Sequence, residues 1–270
     1  MTSEVSGRLI PVDLYLCADP LLAIAATIGA RVLIPAMLVS LVVVAATLVL
    51  GRVFCGWVCP MGTALDLTSR IGHSENRYSI RKTHHIKYYL LIGFLAASIL
   101  GFQLVYHLDP IALITRFFTL VVLPLLVQLS SFAFGVLFNI ESFQLPLLNI
   151  QASLIDSLLP LEPYFFRSAF LVGIIFLAIL ALELYSRRIF CQTVCPLGAL
   201  LGWLSKPQIL KRKVDEDCIE CGDCRRVCKT NAIPEDYLQT ELRECIQCFN
   251  CVDVCPVDVI SINFRKSEQK

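Results

Sequence analysis

Eight cysteines near the C-terminal end have a spacing that suits iron–sulfur chemistry. They lie in two runs, CIECGDCRRVCKTNAI at 218–233 and CIQCFNCVDVCPVDVI at 245–260, and each has the form Cys-x2-Cys-x2-Cys-x3-Cys. In bacterial ferredoxins with this spacing, the fourth cysteine of each run binds the cluster of the other run. The spacing therefore predicts two 4Fe–4S clusters, one held by Cys218, Cys221, Cys224 and Cys255, and the other by Cys245, Cys248, Cys251 and Cys228.

Disulfide bonds and zinc are weaker explanations of the same eight cysteines. Disulfides need an oxidising compartment, whereas this region follows a basic segment that we expect in the cytoplasm, where thiols stay reduced. Zinc would need a four-cysteine set for each ion, and the two runs do not have zinc-ribbon spacing. Iron–sulfur clusters account best for all eight side chains.

Four further cysteines form two motifs that resemble each other. Residues 54–62 read FCGWVCPMG and residues 190–198 read FCQTVCPLG, with Arg52 and Arg188 three residues before the first cysteine. Cysteines four apart lie on one face of a helical turn. Three roles are open: ligands of a third iron–sulfur cluster, redox-active or metal-handling thiols, and structural residues where a helix stops before proline. The first role explains why the two copies are alike, so we expect a third cluster on Cys55, Cys59, Cys191 and Cys195.

The remainder of the chain has the composition of a membrane protein. Of its 270 residues, 56% are hydrophobic and 17% are charged, and the mean hydropathy is +0.70. A helix needs ~20 apolar residues to cross ~30 Å of hydrocarbon. Four stretches approach or exceed that length and predict membrane spans: 32–51, 88–108, 117–140 and 168–186.

The placement of lysine and arginine predicts the orientation of these spans. Five lie between Asp66 and Lys87 and six between Arg187 and Lys213, whereas residues 108–167 hold two. By the positive-inside rule, the first two segments are cytoplasmic and the third faces outward. We therefore expect a multi-pass protein of a bacterial or archaeal cytoplasmic membrane, with both Cys-x-x-x-Cys-Pro motifs and the C-terminal domain on the cytoplasmic side.

A weak internal repeat organises the predicted membrane part. Asp-Pro occurs at 19–20 and at 109–110, and each copy precedes apolar sequence that ends in Arg-x-Phe-Cys-x-x-x-Cys-Pro-x-Gly. We interpret each aspartate as a helix N-cap followed by proline at the first helical position. Membrane repeats usually place functional groups where the copies meet, so the four cysteines should converge. The predicted domains are a membrane domain at 1–205, a ferredoxin-like domain at 214–264 and a tail at 265–270. Within the membrane domain we expect repeat one at about 15–67, repeat two at about 86–203 and an inserted, outward-facing apolar region at 111–166.

The cysteine motifs together carry a family resemblance. FCGWVCPMG, FCQTVCPLG and the two ferredoxin runs resemble those of the membrane iron–sulfur subunits of periplasmic nitrate reductase systems, usually described as quinol dehydrogenases. The chain is also similar to the membrane half of nitrous-oxide reductase regulators and to ferredoxin-like cytochrome oxidase maturation proteins. The resemblance covers roughly residues 15–65 and 168–262, and it implies membrane helices, cytoplasmic clusters and electron exchange with the quinone pool.

One carboxylate falls inside a predicted span. Glu183 lies about two helical turns before Cys191. Carboxylates within membrane helices are functional by default, so Glu183 is the candidate proton acceptor for quinol oxidation. An interfacial ion pair with Arg52 or Arg188 would explain it equally well.

These features predict an α-helical polytopic membrane protein with two repeated units, followed by a small α+β ferredoxin domain of the bacterial two-cluster type. We expect it to pass electrons between the quinone pool and other redox subunits of a membrane complex, either cytochromes or iron–sulfur proteins. The alternative is an accessory or maturation protein that reduces or loads a metalloenzyme. Membrane lipid and quinone are the expected small partners, and no nucleic acid is expected.

Overall fold

The computed structural model of the protein describes residues 16–31, 38–72, 83–137 and 167–264. These residues are rich in helix, and a small two-stranded antiparallel sheet lies in the C-terminal part. The chain divides into two compact units, residues 1–112 with 179–270 and residues 113–178. All twelve candidate cluster ligands belong to the first unit.

Short apolar helices precede and follow the first cysteine motif. They are α1 (Pro20–Ala30) and α2 (Ser40–Leu50), then a π-helical turn (Phe54–Val58) that leads into α3 (Pro60–Ile71), and then α4 (Ile86–Ile99) and α5 (Val105–Leu108). Helix α1 packs against α2, α4 and α5. Proline at the first position of α1 and α3 suits a helix start, because its missing N–H has no partner there in any case.

The remaining described helices before the C-terminal domain follow Asp109. They comprise α6 (Pro110–Phe117), a π-helical turn (Phe118–Val122), α7 (Leu123–Leu137), α8 (Arg167–Tyr185), α9 (Ile189–Thr193) and α10 (Pro196–Leu204). Within the second unit, the rings of Phe117 and Phe176 stack with centroids 4.0 Å apart. Within the first unit, α10 packs against α1, α2 and α4 and is buried over most of its length.

One described helical stretch is long and apolar enough to cross a membrane. It runs over Pro110–Ser130 with a mean hydropathy of 2.2 and thus begins before the predicted span 117–140. Four apolar helices are shorter: Pro20–Gly29, Ser40–Leu50, Ile86–Ile99 and Ala169–Tyr185. The predicted span 88–108 is interrupted, because α4 ends at Ile99 and Gly101 has a φ of 86°. The number of crossings therefore stays a prediction.

Two buried aspartates cap corresponding helices, as their Asp-Pro sequences predict. Asp19 Oδ1 accepts hydrogen bonds from the backbone N–H groups of Leu21 (2.8 Å) and Leu22 (3.2 Å) at the start of α1. Asp109 Oδ2 accepts from Ile111 and Ala112, both at 3.0 Å, at the start of α6. Each carboxylate thereby satisfies two N–H groups that have no partner inside the helix.

The C-terminal domain is built around its cysteines. Strand β1 (Leu210–Val214) pairs antiparallel with β2 (Ile260–Phe264), and Val214 lies opposite Ile260. Two one-turn helices, α11 (Asp223–Arg226) and α12 (Asn250–Asp253), lie within the cysteine runs. The sheet begins at Leu210, before the predicted boundary at 214, because the whole of β1 is needed to pair with β2.

Part of the predicted insertion at 111–166 lies outside the described residues, namely residues 138–166. The second compact unit begins at residue 113, close to the predicted start of the insertion, and continues to residue 178 within α8. The predicted tail at 265–270 also lies outside the described ranges.

Candidate iron–sulfur sites

The first candidate site is a small cavity lined by cysteines from both ferredoxin runs. Its apolar walls include Ile219, Val257 and Val259. The side chain of Cys221 is exposed, so this site reaches the protein surface. The four cysteines that line the cavity are the set expected from the spacing: Cys218, Cys221, Cys224 and Cys255.

The second candidate site is a cavity lined by the other four cysteines, Cys228, Cys245, Cys248 and Cys251. Cys228 comes from the first run, so the fourth cysteine of each cavity comes from the other run, as the predicted ligand sets require. Ala232 N–H donates to Cys228 Sγ at 3.3 Å. Hydrogen bonds of this kind to cysteine sulfur are among the features that tune iron–sulfur clusters.

The two runs share an unusual backbone conformation that wraps each loop. Glu220 and Gly222 in the first run have φ values of 53° and 79°, and Gln247 and Phe249, at the matching positions of the second, have 53° and 61°. Left-handed backbone is uncommon for residues other than glycine, and strained sites of this kind concentrate where function requires them. In both runs these residues lie on either side of the second cysteine, and the first three cysteines of the run line one cavity.

The buried thiols of the second site need a metal centre to become ligands. Burial raises the pKa of the Cys245 thiol to about 12 and that of Cys251 to about 11. At neutral pH the free thiols would therefore keep their protons, and coordination must release them. Across the described ranges, no three His, Cys, Asp or Glu side chains have the arrangement of a site for a single metal ion. A cubane cluster binds each thiolate through a different iron, so its ligands need not converge on one point.

The structure also brings the two Cys-x-x-x-Cys-Pro motifs together. The thiols of Cys55, Cys59, Cys191 and Cys195 all lie within electrostatic range of one another, and we call these four residues the cysteine quartet. In each motif the first cysteine lies in a short helical turn and the second is the N-cap of the next helix, before Pro60 or Pro196. The two halves of the quartet are therefore built in the same way.

Each motif arginine reaches across to the opposite motif. Arg188 Nη1 donates to the carbonyl of Cys55 at 2.8 Å, and its Nε and Nη2 donate to the two carboxylate oxygens of Asp66 at 2.9 and 2.8 Å. A Cβ added to Gly62 would lie 3.2 Å from Arg188 Nη1, and one added to Gly198 would lie 2.9 Å from Arg52 Nη2. The glycine of Cys-Pro-x-Gly thus leaves room for the arginine of the other motif.

A buried ion-pair network joins the helices to the second candidate site. Glu244, the residue before Cys245, receives hydrogen bonds from Lys87 Nζ at 2.6 and 2.5 Å and from Arg52 Nη1 at 3.3 Å. Arg52 Nη1 also donates to the carbonyl of Arg243 at 2.8 Å. Arg52 and Lys87 are almost fully buried. Sequence reasoning did not find Lys87 or Glu244, because such pairings are long-range and leave no local motif.

Further contacts fix the ferredoxin loops against the first motif. Trp57 Nε1 donates to the carbonyl of Gln247 at 2.9 Å, and its ring meets the ring of Phe249 edge-on at 5.8 Å. A Cβ on Gly56 would lie 2.2 Å from the carbonyl oxygen of Ile246, so only glycine fits between the two loops. The second candidate site therefore adjoins the first Cys-x-x-x-Cys-Pro motif.

Lys229, which follows Cys228, anchors the other ferredoxin run. Its Nζ donates to Asp66 Oδ2 at 2.7 Å, and its carbonyl accepts from Gln192 Nε2 at 3.2 Å. Burial alone would raise the pKa of Asp66, but the Arg188 guanidinium and the Lys229 ammonium outweigh it and hold that pKa below its usual value. Asp66 therefore stays ionised between two cations.

Glu183 is fully buried, and its carboxylate does not form the alternative ion pair with the guanidinium of Arg52 or Arg188. Its Oε1 accepts a hydrogen bond from the backbone N–H of Arg188 at 2.5 Å, while the Arg188 guanidinium binds Asp66. Among the described residues, Glu183 Oε2 has no hydrogen-bond partner. The carboxylate therefore fixes the turn before Cys191, and its role as a proton acceptor stays a prediction.

Comparison with known proteins identifies the relatives of the chain. The profile of a 4Fe–4S binding domain matches residues 32–77 and 168–215, and that of a 4Fe–4S dicluster domain matches residues 210–256. The methylamine utilization ferredoxin-type protein MauN of Methylorubrum extorquens is 24% identical over 84% of this chain and 63% of its own length. The putative electron transport protein YccM of Escherichia coli is 27% identical over 75% of this chain and 48% of its own. The ferredoxin-type protein NapH of Haemophilus influenzae is 26% identical over 84% and 65%.

The chain thus spans less than two thirds of the length of these relatives. No solved structure matches it significantly. The two segments matched by the 4Fe–4S binding domain each contain one Cys-x-x-x-Cys-Pro motif, and the dicluster domain contains both ferredoxin runs. The family resemblance expected from these motifs is confirmed, and the chain is a homologue of the NapH-like and MauN-like ferredoxin-type 4Fe–4S proteins.

Proposed function

We propose that the protein is a membrane-bound iron–sulfur subunit that passes electrons between the quinone pool and partner redox subunits. The observation that carries this proposal is the contact between the two-site ferredoxin domain and the first Cys-x-x-x-Cys-Pro motif, which holds half of the cysteine quartet. The loop that holds Cys245 and Cys248 lies against Gly56 and Trp57, beside the quartet. Redox centres must be close to exchange electrons, and this contact supports such a path.

The ligand sets follow from the two cavities and from the quartet. A bound 4Fe–4S cluster takes up or gives up one electron at a time. We assign one cluster to the cavity of Cys218 and its three partners, a second to the cavity of Cys245 and its three partners, and a third to the quartet. The buried ion pairs beside the second site and the quartet would limit the access of water to those two clusters.

The proposed arrangement in the membrane is the one that the sequence predicts. We propose a polytopic protein whose two repeated units meet at the quartet, with the ferredoxin domain on the cytoplasmic side and the insertion facing outward. The apolar helices support this arrangement, since α2, α4 and α8 carry many exposed large hydrophobic side chains, such as Val42, Ile92 and Phe170. The similar geometry of the two motifs supports the repeat.

Glu183 is our candidate for handling protons at the quinone site. Its Oε1 is held by the Arg188 N–H, whereas Oε2 is buried and, among the described residues, has no hydrogen-bond partner. A quinol must lose two protons as it loses two electrons, so its site needs a group that accepts a proton, and a buried carboxylate is one such group. Oε2 is the atom of Glu183 that could do so.

Anaerobic purification with iron counting and EPR, before and after addition of a quinol, tests this function. We expect about twelve irons per chain, from three four-iron clusters, and reduction of EPR-silent clusters by the quinol. A Cys55→Ser, Cys191→Ser double variant should retain about eight irons. Cys17→Ser is the matched control, because Cys17 belongs to none of the candidate sites.

Two results would contradict different parts of the proposal. About eight irons in the wild-type protein would remove the third cluster. A full set of clusters that no quinol reduces and that, once reduced, no quinone oxidises would contradict exchange with the quinone pool and would favour the accessory or maturation role.

A further inference from the structure

We propose that Arg52 donates hydrogen bonds, through Nε and Nη2, to the sulfur atoms of the anionic centre held by the cysteine quartet, and thereby raises its reduction potential. This inference rests on the third cluster of the proposed function. It assigns a role to the arginine that precedes the first Cys-x-x-x-Cys-Pro motif. Coordination of a cluster by the four cysteines does not by itself explain why an arginine lies there.

The hydrogen bonding of Arg52 is incomplete within the chain. Its side chain is 1% exposed, and Nη1 is occupied by the carbonyl of Arg243 and the carboxylate of Glu244. No acceptor among the described residues pairs with Nε or Nη2. Burial of charged N–H groups without an acceptor is costly, so such groups usually meet a partner. The unsatisfied side of the guanidinium therefore indicates an anionic or sulfur-rich ligand.

The unsatisfied side of Arg52 adjoins the quartet. The position that a Cβ would take on Gly198 lies 2.9 Å from Arg52 Nη2 and 3.4 Å from Cys195 Sγ, so both atoms flank the same point. The guanidinium also interacts electrostatically with the thiols of Cys55 and Cys191. A group bound by the quartet would thus lie within reach of the free N–H groups of Arg52.

Arg188 shows what a fully satisfied arginine looks like at the equivalent position. Its Nε, Nη1 and Nη2 all have acceptors, and Asp66 binds it through both oxygens. Arg188 therefore has an acceptor at every side-chain nitrogen, although its carboxylate partner Asp66 also binds Lys229. Arg52 shares its only carboxylate partner among the described residues, Glu244, with Lys87. The surroundings of Arg52 thus keep an excess of positive charge beside the quartet.

Positive charge and N–H donors near such a centre change its reduction potential. Reduction adds one electron to the centre while its external donor loses one, and no bond is made or broken. The reduced form carries one more negative charge, so nearby positive charge and hydrogen bonds to sulfur stabilise it and raise the potential. Removal of Arg52 should lower the potential of the quartet centre and leave the two ferredoxin sites less affected.

Redox titration followed by EPR, on the purified full chain, tests the inference with three variants. Arg52→Lys keeps the charge but loses the planar donor, Arg52→Gln loses the charge but keeps an N–H donor, and Arg52→Met loses both. We expect Arg52→Met to lower the reduced-to-oxidised ratio of the quartet centre at a fixed potential by at least about tenfold, which is about 59 mV for one electron. The other two variants should give smaller shifts, and Lys213→Gln, which removes an exposed positive charge of strand β1, should give none.

The outcomes separate this inference from the proposed function. Wild-type protein with about eight irons would mean that the quartet holds no cluster and would overturn both. About twelve irons with an unchanged quartet potential in Arg52→Gln and Arg52→Met would overturn the role of Arg52 alone. If the variants lose iron, pulsed EPR on wild-type protein labelled with ¹⁵N in the arginine guanidinium decides instead. Coupling between the quartet centre and guanidinium ¹⁵N is expected, and its absence would overturn the inference.

Discussion

At the scale of single residues, two carboxylates hold the arginine that precedes the second cysteine motif. Asp66 and Glu183 both act on Arg188, the first on its guanidinium and the second on its backbone N–H. Arg188 has a left-handed backbone with a φ of 50°, which is uncommon for a residue with a side chain. The two carboxylates therefore stabilise an unfavourable turn that places Cys191 beside the opposite motif.

Replacement of Glu183 by glutamine separates its two roles. The glutamine side chain would keep an oxygen that accepts from the Arg188 N–H but could not take up a proton. We expect Glu183→Gln to retain its irons and to slow cluster reduction by quinol about a hundredfold or more, the range that general acid–base catalysts contribute. Stopped-flow absorbance would measure this rate, with Glu235→Gln, an exposed carboxylate, as the control. An unchanged rate would show that Glu183 is a structural cap alone.

Asp66 gives a pH dependence whose sign follows from its lowered pKa. A carboxylate with a lower pKa in the folded protein than in the unfolded chain stabilises the fold above its unfolded pKa, and this stability is lost as pH falls through the folded value. We expect Asp66→Asn to lower the free energy of unfolding by about 2 kcal/mol at pH 7, from loss of charge-assisted hydrogen bonds. The difference from wild type should shrink below about pH 4, near the pKa of a free aspartate. Thermal unfolding of both proteins across this pH range would measure it, and a constant difference would contradict the assignment.

At the scale of elements, the local patterns were predictable and the long-range pairings were not. The exchange of the fourth ferredoxin cysteine between the runs and the caps of α1 and α6 follow from spacing and from local hydrogen bonding. Arg52 and Glu244 are 192 residues apart, and no local sequence pattern predicts their contact. The same applies to Trp57 and Gln247. Sequence alone therefore located the candidate ligands but not how the ferredoxin domain is attached.

The close approach of two loops at Gly56 gives a prediction at this scale. A Cβ at this position would lie 2.2 Å from the Ile246 carbonyl oxygen, so Gly56→Ala must push the first motif away from the ferredoxin loop. We expect a loss of about 1–3 kcal/mol in unfolding free energy, the usual cost of overpacking. Gly93→Ala is the matched control, because nothing lies within 4 Å of its added Cβ. Denaturant unfolding in detergent would compare them, and equal stability of the two variants would contradict the observed approach.

For the whole molecule, the contacts of the ferredoxin loops with the helices indicate which candidate cluster would lie nearer to the quartet. The residues that flank the second site, Lys229, Glu244 and Gln247, all make contacts with residues of the cysteine motifs or of α3 and α4. The first site instead has the exposed Cys221. The second cluster would therefore lie between the quartet and the first cluster, and the first cluster would be the one that meets a soluble partner.

Loss of the second cluster should loosen the ferredoxin domain from the helices more than loss of the first cluster does. Cluster binding and folding are coupled, because the ligands are organised only when the metal is bound. Cys248→Ser should disorder the loop that contacts Arg52 and Trp57 and so release the ferredoxin domain, whereas Cys221→Ser should disorder a site that faces solvent. Limited proteolysis of the two variants under anaerobic conditions would then give faster cleavage between α10 and the ferredoxin domain in Cys248→Ser. Faster cleavage in Cys221→Ser would place the first site, rather than the second, at the attachment. Such a result would reverse the order of the electron path, since the centre that anchors the domain is the one nearest the quartet.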